Sequence, residues 1–261
     1  MRRQKTLVSG AGLDVRLTWY RPGERMAPHA HACHQVSWLL CGELRESGGV
    51  REHEVIRTSR GVKPAGFRHA NAYGVSGALV LAVDIDPDGP ACSDLPGPAD
   101  WGWVETQSDA PLEILQLTSA FDAGNADLAM TLSDLAACAM DPTPDGPCDR
   151  SVGESGPPRW LDRVREQLRD DPDETDLARL ADQAGVHRVH LSRSFRHRFG
   201  LPPSRYRLRC RVSRAIADMV DGTHLADAAL AAGFADQAHF TRAVRAQTGF
   251  TPNHLRSLLA A

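Results

Sequence analysis

Three histidines near the start of the chain have the spacing of a cluster that binds a metal ion or a polar ligand. His29 and His31 are two residues apart, Gln35 follows four residues later, and His69 lies further along. Residues 29, 31 and 35 share parity, so on a β-strand their side chains would point into the same small barrel. With His69 they could bind Zn²⁺, Fe²⁺ or Ni²⁺, using Gln35 or water as the last ligand. Alternatively, these residues and Trp38 contact a small-molecule effector, and no cofactor is bound.

A block of nine arginines without any acidic residue lies between Gln183 and Ala217. The chain of 261 residues has a formal net charge of −3, but the charge is unevenly distributed. Residues 1–157 contain 13 basic and 21 acidic side chains, whereas residues 158–261 contain 17 and 12. A basic block of this kind attracts polyanions such as nucleic acid. The alternative is a solvated helix face that has no partner.

The C-terminal third contains an internal repeat. Residues 184–186 match residues 232–234, and residues 191–207 match residues 240–256. Each copy predicts a short helix, a turn at a glycine and a second helix. A helix from about residue 204 to 220 connects the copies. It would span about 25 Å and could hold the second helices of the two copies about 34 Å apart, one turn of B-DNA.

The second helix of each copy predicts an exposed ridge with polar tips. If Leu191, Phe195 and Phe199 are buried, the residues at i, i+3, i+4 and i+7 from Val189 lie on the opposite face. Such a ridge fits the major groove, where Arg bonds to guanine and Gln to adenine. The predicted DNA-binding residues are Arg188, Val189, Ser192, Arg193 and Arg196 in the first copy, and Gln237, Ala238, His239, Thr241, Arg242 and Arg245 in the second, where Asp236 is the predicted N-cap.

These motifs make residues 158–261 similar to the DNA-binding domain of the AraC/XylS family of bacterial transcription regulators. The resemblance is most specific at residues 233–252, with residues 191–200 as the counterpart in the first copy. It implies base-facing roles for Val189, Ser192 and Arg193, and for Gln237, Ala238, His239 and Arg242. The sequence departs from the family pattern at His187, where a Ser N-cap is usual, and at Ala228 and Val244, where Ile and Phe are usual. These departures put the stability of the units in question more than their role.

The N-terminal region resembles a cupin. Gly23, His29, His31, Gln35 and Gly42 have the spacing of the first cupin motif, with Gln35 at the usual Glu position, and Pro64, Gly66 and His69 resemble the second motif. Alternating apolar and polar residues at 13–20, 36–41, 50–58 and 78–85 predict an antiparallel β domain.

The expected fold is therefore multidomain. Residues 1–107 form a cupin-like β-barrel that binds an effector, and residues 108–140 form two trailing helices of a dimerisation segment. Residues 141–157, rich in Pro and Gly, form a flexible linker. Residues 158–261 form an all-α domain with two helix-turn-helix units.

The expected function is sequence-specific DNA binding by a transcription regulator that responds to a small-molecule effector. The resemblance favours an activator, so the implied partners are double-stranded DNA, the effector, a second copy of the chain and RNA polymerase. No apolar run approaches the ~18 residues of a membrane span. No apolar leader follows the N-terminal basic residues, and the six cysteines include no CxxC pair. A cytoplasmic protein that is not an enzyme is expected.

Two other classes of protein remain open from the sequence. A cupin metalloenzyme, such as a dioxygenase or isomerase with a helical appendage, would use the three histidines at open coordination positions. An interaction adaptor would lack salt-dependent binding to duplex DNA.

Overall fold

A computed structural model describes residues 2–10, 12–89, 98, 100–105, 110–119, 159–172 and 176–260 of the chain. The chain divides into two compact units: an N-terminal unit of Met1–Cys148 with His254–Ala261, and a C-terminal unit of Asp149–Asn253. The predicted order, an antiparallel β region followed by a helical region, is confirmed. The second predicted helix of 108–140 and the predicted linker 141–157 lie outside the described residues, and the four domain boundaries stay predictions.

The N-terminal unit contains one eight-stranded antiparallel sheet in its described part. The strands are β1 (Arg3–Gly10), β2 (Leu13–Tyr20), β3 (Arg25–His29), β4 (His34–Gly48), β5 (Arg51–Val55), β6 (Ser59–Lys63), β7 (His69–Ile85) and β8 (Gly102–Glu105). Their order in the sheet is β1-β2-β7-β4-β6-β8, with β3 paired to β7 and β5 paired to β4. Helix α1 (Ala110–Ser119) follows and contacts β1.

The two long strands, β4 and β7, are longer than the predicted runs because β-bulges let each of them bend and continue. The register between them shifts between Leu39 and Cys41 and again between Gly42 and Leu44. Gly42 has φ +87°, and a Cβ there would collide with the carbonyl oxygen of Gly77. Only glycine fits this crossing.

The two faces of the bent sheet have different surroundings. One face carries fully buried apolar side chains such as Leu17, Trp38 and Leu81. The other face lines a pocket, beside an apolar cluster of Leu39, Leu44, Val55, Tyr73, Ala78, Val80 and Trp103. Because successive side chains on a strand point to opposite faces, each strand contributes to both surroundings.

The described helices that follow are α2 (Arg159–Asp170), α3 (Leu177–Gln183), α4 (Arg188–Phe199), α5 (Pro203–Val220), α6 (Leu225–Ala231), α7 (Gln237–Thr248) and α8 (Pro252–Leu259). Leu168, Phe195, Ile216, Phe240 and Val244 are each fully buried. Among the described helices, none is both long and apolar enough to cross a membrane.

Candidate functional site

The pocket of the N-terminal unit lies on the concave side of the sheet and has a volume of about 290 Å³. This is near the lower end of the ~300–1,000 Å³ typical of ligand pockets. Its polar lining residues are Arg2, Gln4, Arg16, Thr18, Tyr20, His29, His31, Gln35, Ser37, Lys63, His69, Asn71 and Tyr73. Its apolar lining residues are Met26, Leu44, Val80, Ala82 and Trp103. The lining suits a small polar ligand.

The three predicted histidines converge in this pocket. The ring centroids of His29 and His69 are 4.4 Å apart, those of His29 and His31 are 5.0 Å apart, and those of His31 and His69 are 5.2 Å apart. The chain brings the histidines together differently from the prediction, because His31 lies in the loop between β3 and β4 rather than on a strand with Gln35. Residue parity therefore does not explain the convergence. The pairing of His29 with His69 across β3 and β7 brings two of the three histidines together.

The surroundings of His31 and His69 favour the neutral forms of these two imidazoles. Burial, then the neighbouring His69 and His29, and then Lys63, lower the pKa of His31 to about 4. Burial also lowers the pKa of His69, against the opposing effect of Glu46. At pH 7 the imidazole of His31 is therefore uncharged and can accept as well as donate a hydrogen bond.

These residues fit a divalent metal ion by chemistry, and their spacing is somewhat wide. One donor atom from each of His29, His31 and His69 lies within 4.8 Å of the others. Zn–N bonds of ~2.0–2.1 Å in a tetrahedral site place donors about 3.4 Å apart, so the rings would have to rotate inward. The Nδ1 of His29 donates to the carbonyl of Ala27 at 2.8 Å, which leaves Nε2 as the ligand atom.

A buried ion pair joins Lys63, which lines the pocket, to Glu46, which lies behind the lining. Glu46 is fully buried, and its Oε1 lies 3.4 Å from the Nζ of Lys63 and 3.4 Å from the Nε2 of His69. The indole nitrogen of Trp103 donates to the Oε2 of Glu46. The ammonium of Lys63 lies 5.3 Å from the centroid of the Trp103 ring. The pair therefore links β4, β6, β7 and β8.

A second polar network involves Gln35. Its Nε2 donates to the Oδ1 of Asp84 at 2.7 Å, and its Oε1 accepts from Ser37 at 3.2 Å. Arg16 forms an ion pair with the same Asp84. The amide of Gln35 is thus occupied on both sides by protein groups, which favours a positioning role over a role as metal ligand.

Trp38 requires a correction among the predicted effector contacts. It is fully buried and does not line the pocket, whereas His29, His31, Gln35 and His69 do. The physical reason is the alternation along β4: Gln35 and Ser37 face the pocket, so Trp38 faces the opposite side. Sequence reasoning missed Lys63, because none of the four alternating runs includes residues 59–63, where β6 forms.

The helix-turn-helix units have the predicted turns and caps. Gly185 and Gly233 have φ values of +65° and +74°, the left-handed conformation that follows the end of a helix. The Oδ1 of Asp236 accepts from the backbone N–H of His239 at 2.6 Å, which confirms it as the N-cap of α7. His187 occupies the N-cap of α4, where its Nδ1 accepts from the N–H of Val189 at 3.3 Å. The imidazole thus replaces the usual hydroxyl.

The two other departures from the family pattern lie in the helical core. Ala228 on α6 and Val244 on α7 are fully buried, so the smaller side chains still pack inside. Leu191, Phe195 and Phe199 form the buried stripe of α4, as the periodicity predicts.

The predicted DNA-binding residues lie on the outer surfaces of α4 and α7. Eight are exposed and three are half-buried. The exposed residues are Arg188, Val189, Arg193, Arg196, Gln237, Ala238, Arg242 and Arg245. The half-buried residues are Ser192, His239 and Thr241. Val189 is 50% exposed, which is unusual for a large apolar side chain. Within the described residues, the side chains of Arg193, Arg196 and Arg242 form no ion pair or hydrogen bond.

Comparison with known proteins assigns the helical region. A helix-turn-helix domain family matches residues 180–257, a range that includes both units. The chain therefore contains a helix-turn-helix domain. No curated protein matches the chain.

Several solved structures are similar to parts or all of the chain. A transcriptional regulator with an AraC-type DNA-binding domain from Chromobacterium violaceum is 26% identical over 39% of this chain and 93% of that chain, with a TM-score of 0.37. ToxT from Vibrio cholerae is 11% identical over 96% of this chain and 100% of that chain, with a TM-score of 0.39. A cupin superfamily protein from Desulfitobacterium hafniense is 15% identical over 33% of this chain and 77% of that chain, with a TM-score of 0.31. Similarities at this level assign no ligand or activity.

Proposed function

We propose that the protein is a sequence-specific DNA-binding transcription regulator whose N-terminal unit binds a small-molecule effector. The observation that carries the proposal is the pair of helix-turn-helix units, each with an exposed arginine ridge on its second helix. Double-stranded DNA is the partner, and Arg193 and Arg242 contact base edges while Arg188, Arg196 and Arg245 contact phosphates.

The chemistry of the ridges supports this assignment. Arg193 and Arg242 lie at equivalent positions of α4 and α7, four residues after Val189 and Ala238. Small or apolar side chains at the latter positions let a helix approach the bases closely and can contact a thymine methyl group. The exposed guanidinium groups have no competing carboxylate among the described residues, so the free energy of their binding to DNA is not reduced by breaking ion pairs.

The effector would act by binding two arrangements of the protein unequally. His29, His31, Gln35 and His69 line the pocket and are the proposed effector contacts. A homodimer formed through residues 108–140, and contact with RNA polymerase during activation, complete the proposal. The protein does not act as an enzyme in this proposal.

Salt dependence of DNA binding by the full chain tests the proposal. Duplexes selected from a randomised library would be titrated at increasing salt concentrations. The three proposed phosphate contacts give log K against log salt a slope of about −2.7, and the slope reaches about −4.5 if Arg193 and Arg242 displace counterions as well. This corresponds to a loss of about 40- to 500-fold between 50 and 200 mM salt.

The matched control replaces exposed arginines outside the ridges, Arg159→Ala with Arg163→Ala on α2. These changes should leave the slope within about one unit of the original. Binding that does not depend on salt, or failure to enrich any sequence, would contradict the proposal and favour an adaptor.

A second candidate function, a cupin metalloenzyme, is favoured by one observation, the convergence of three imidazoles. His29, His31 and His69 would hold the ion, which would supply Lewis-acid chemistry. Elemental analysis of the purified full chain discriminates between the two. One equivalent of iron, nickel or zinc, lost in a triple His→Ala variant, would support the enzyme.

A further inference from the structure

Lys63 is a buried cation that faces the pocket. Its side chain is 4% exposed, and the residue lines the pocket at the end of β6. Its only described counterion is Glu46, at 3.4 Å, and within the described residues its ammonium forms no hydrogen bond. An ammonium has three N–H donors. A buried charge with unfilled donors is costly unless another acceptor completes its surroundings.

Glu46 has other partners and does not satisfy Lys63 alone. The same carboxylate accepts from the indole of Trp103 and lies 3.4 Å from the Nε2 of His69. It therefore stays paired if Lys63 turns one N–H toward a ligand.

The pocket as a whole has an excess of positive charge. Three cations line it: Arg2, Arg16 and Lys63. No carboxylate lines it among the described residues. Asp84 and Glu46 lie behind the lining and pair with Arg16 and Lys63. Arg2 has no ion pair in the described part of the chain, so one positive charge is left over.

The remaining polar groups of the lining add hydrogen-bonding capacity. The Oδ1 of Asn71 is buried and has no hydrogen-bond partner, although its Nδ2 donates to the hydroxyl of Tyr73 at 3.2 Å. An unpaired acceptor in the lining would accept from an N–H or O–H of a ligand.

We propose that this pocket binds a small organic monoanion whose carboxylate pairs with the ammonium of Lys63. A single negative charge matches the single excess positive charge, and the volume of about 290 Å³ limits the ligand to a small molecule. The proposal rests on the proposed function only in that it names the chemical class of the effector.

Lysine-selective NMR tests the proposal on the unaltered full chain. The sequence contains only two lysines, Lys5 and Lys63, so protein with ¹³Cε-labelled lysine gives two side-chain signals. Lys5→Arg, an exposed change on β1, assigns them. Lactate and benzoate would be titrated beside their neutral analogues, lactamide and benzamide, and beside inorganic phosphate.

We expect a carboxylate to shift the Lys63 signal saturably, to leave the Lys5 signal unchanged, and to bind at least tenfold more tightly than its amide. The inference is overturned if the amides bind as tightly as the acids, if phosphate binds more tightly than either acid, or if no compound shifts the Lys63 signal at millimolar concentration.

Calorimetry on variants gives a second readout. Lys63→Met alone would leave Glu46 buried without its counterion, so Glu46→Gln is compared with Glu46→Gln combined with Lys63→Met. Carboxylate affinity should fall about ten- to one-hundredfold in the double variant, whereas Lys5→Met should have no effect. Equal affinity in the two variants overturns the role of Lys63.

DNA binding by the same preparation separates this inference from the proposed function. Salt-dependent DNA binding without a carboxylate effect on Lys63 refutes the anionic ligand alone. Carboxylate binding without any DNA binding refutes the regulator and leaves the pocket assignment in place.

Discussion

Replacement of Arg242 by alanine should reduce DNA affinity in a way that depends on sequence. Arg242 is exposed on α7, one turn after Ala238. The hydroxyl of Thr241 bonds back to the carbonyl of Gln237 at 2.8 Å, so it is less available to a base. Arg242 and Gln237 are then the long side chains with free polar groups at this end of the ridge. Loss of a bidentate contact to guanine costs about 1–3 kcal/mol, or about 5- to 150-fold in affinity.

The assay compares the selected duplex with duplexes that carry one altered base pair each. The wild-type chain should lose about 1–3 kcal/mol on changing the guanine that Arg242 contacts. Arg242→Ala should lose little further affinity on that altered duplex, because the contact is already absent. Arg193→Ala should behave in the same way at a different base pair, in the half of the site read by α4.

Two variants serve as controls. Arg245→Ala should weaken binding to all duplexes equally and reduce the salt slope by about 0.9, as expected for a phosphate contact. Arg163→Ala on α2 should leave affinity within about 0.5 kcal/mol. If Arg242→Ala loses the same factor on every duplex, Arg242 contacts phosphate only, and if it loses nothing, α7 is not a recognition helix.

Three further predictions concern the stability of the two units. Asp236→Ala removes the cap of α7 and should lower the free energy of unfolding by about 0.5–2 kcal/mol in urea, whereas Asp236→Ser should retain most of it. Gly42→Ala should prevent folding of the N-terminal unit, because its Cβ collides with Gly77, while Gly102→Ala, with open space around it, should be neutral by circular dichroism. His31 has a folded pKa of about 4 against ~6.5 when unfolded. The unfolded chain therefore binds more protons between these two pKa values. The free energy of unfolding should be highest above pH 6.5 and should decrease as the pH falls toward 4. His31→Asn should flatten this part of the stability curve, and an unchanged curve would contradict the pKa assignment.

The helical region could be predicted from the sequence nearly residue by residue. The connecting helix was expected from about residue 204 to 220, and α5 is Pro203–Val220. The reason is that the repeat contains each local signal twice. These signals are a glycine in the turn, an apolar stripe on the second helix and a residue at its N-cap. His187 shows the limit of such rules, since its cap depends on a ring nitrogen that composition alone would not suggest.

The β region could be predicted only in outline. β2 matches its predicted range of 13–20, but β4 and β7 run through bulges that break the period of two. Parity counted across residues 29–35 is not valid, because the chain leaves the strand after His29. Lys63 was missed because the rule that lysines are exposed fails where a buried carboxylate pairs with one, and Glu46 lies 17 residues away in sequence.

The distribution of charge separates the two anionic partners that we propose, DNA and a small organic anion. Residues 158–261 carry 17 basic and 12 acidic side chains, so the helical region attracts the DNA backbone, whereas residues 1–105 carry 12 of each and have no net charge. Screening limits the range of this attraction to about 8 Å at physiological ionic strength, and the cations of the pocket act at shorter range. Lys63 and Arg16 are held close to their own carboxylates, so their field is felt by a small anion inside the pocket but is largely cancelled for a polyanion outside. Net charge therefore directs the proposed DNA binding to the helical region, whereas the local pairing of buried charges would determine which small anion the proposed ligand site selects.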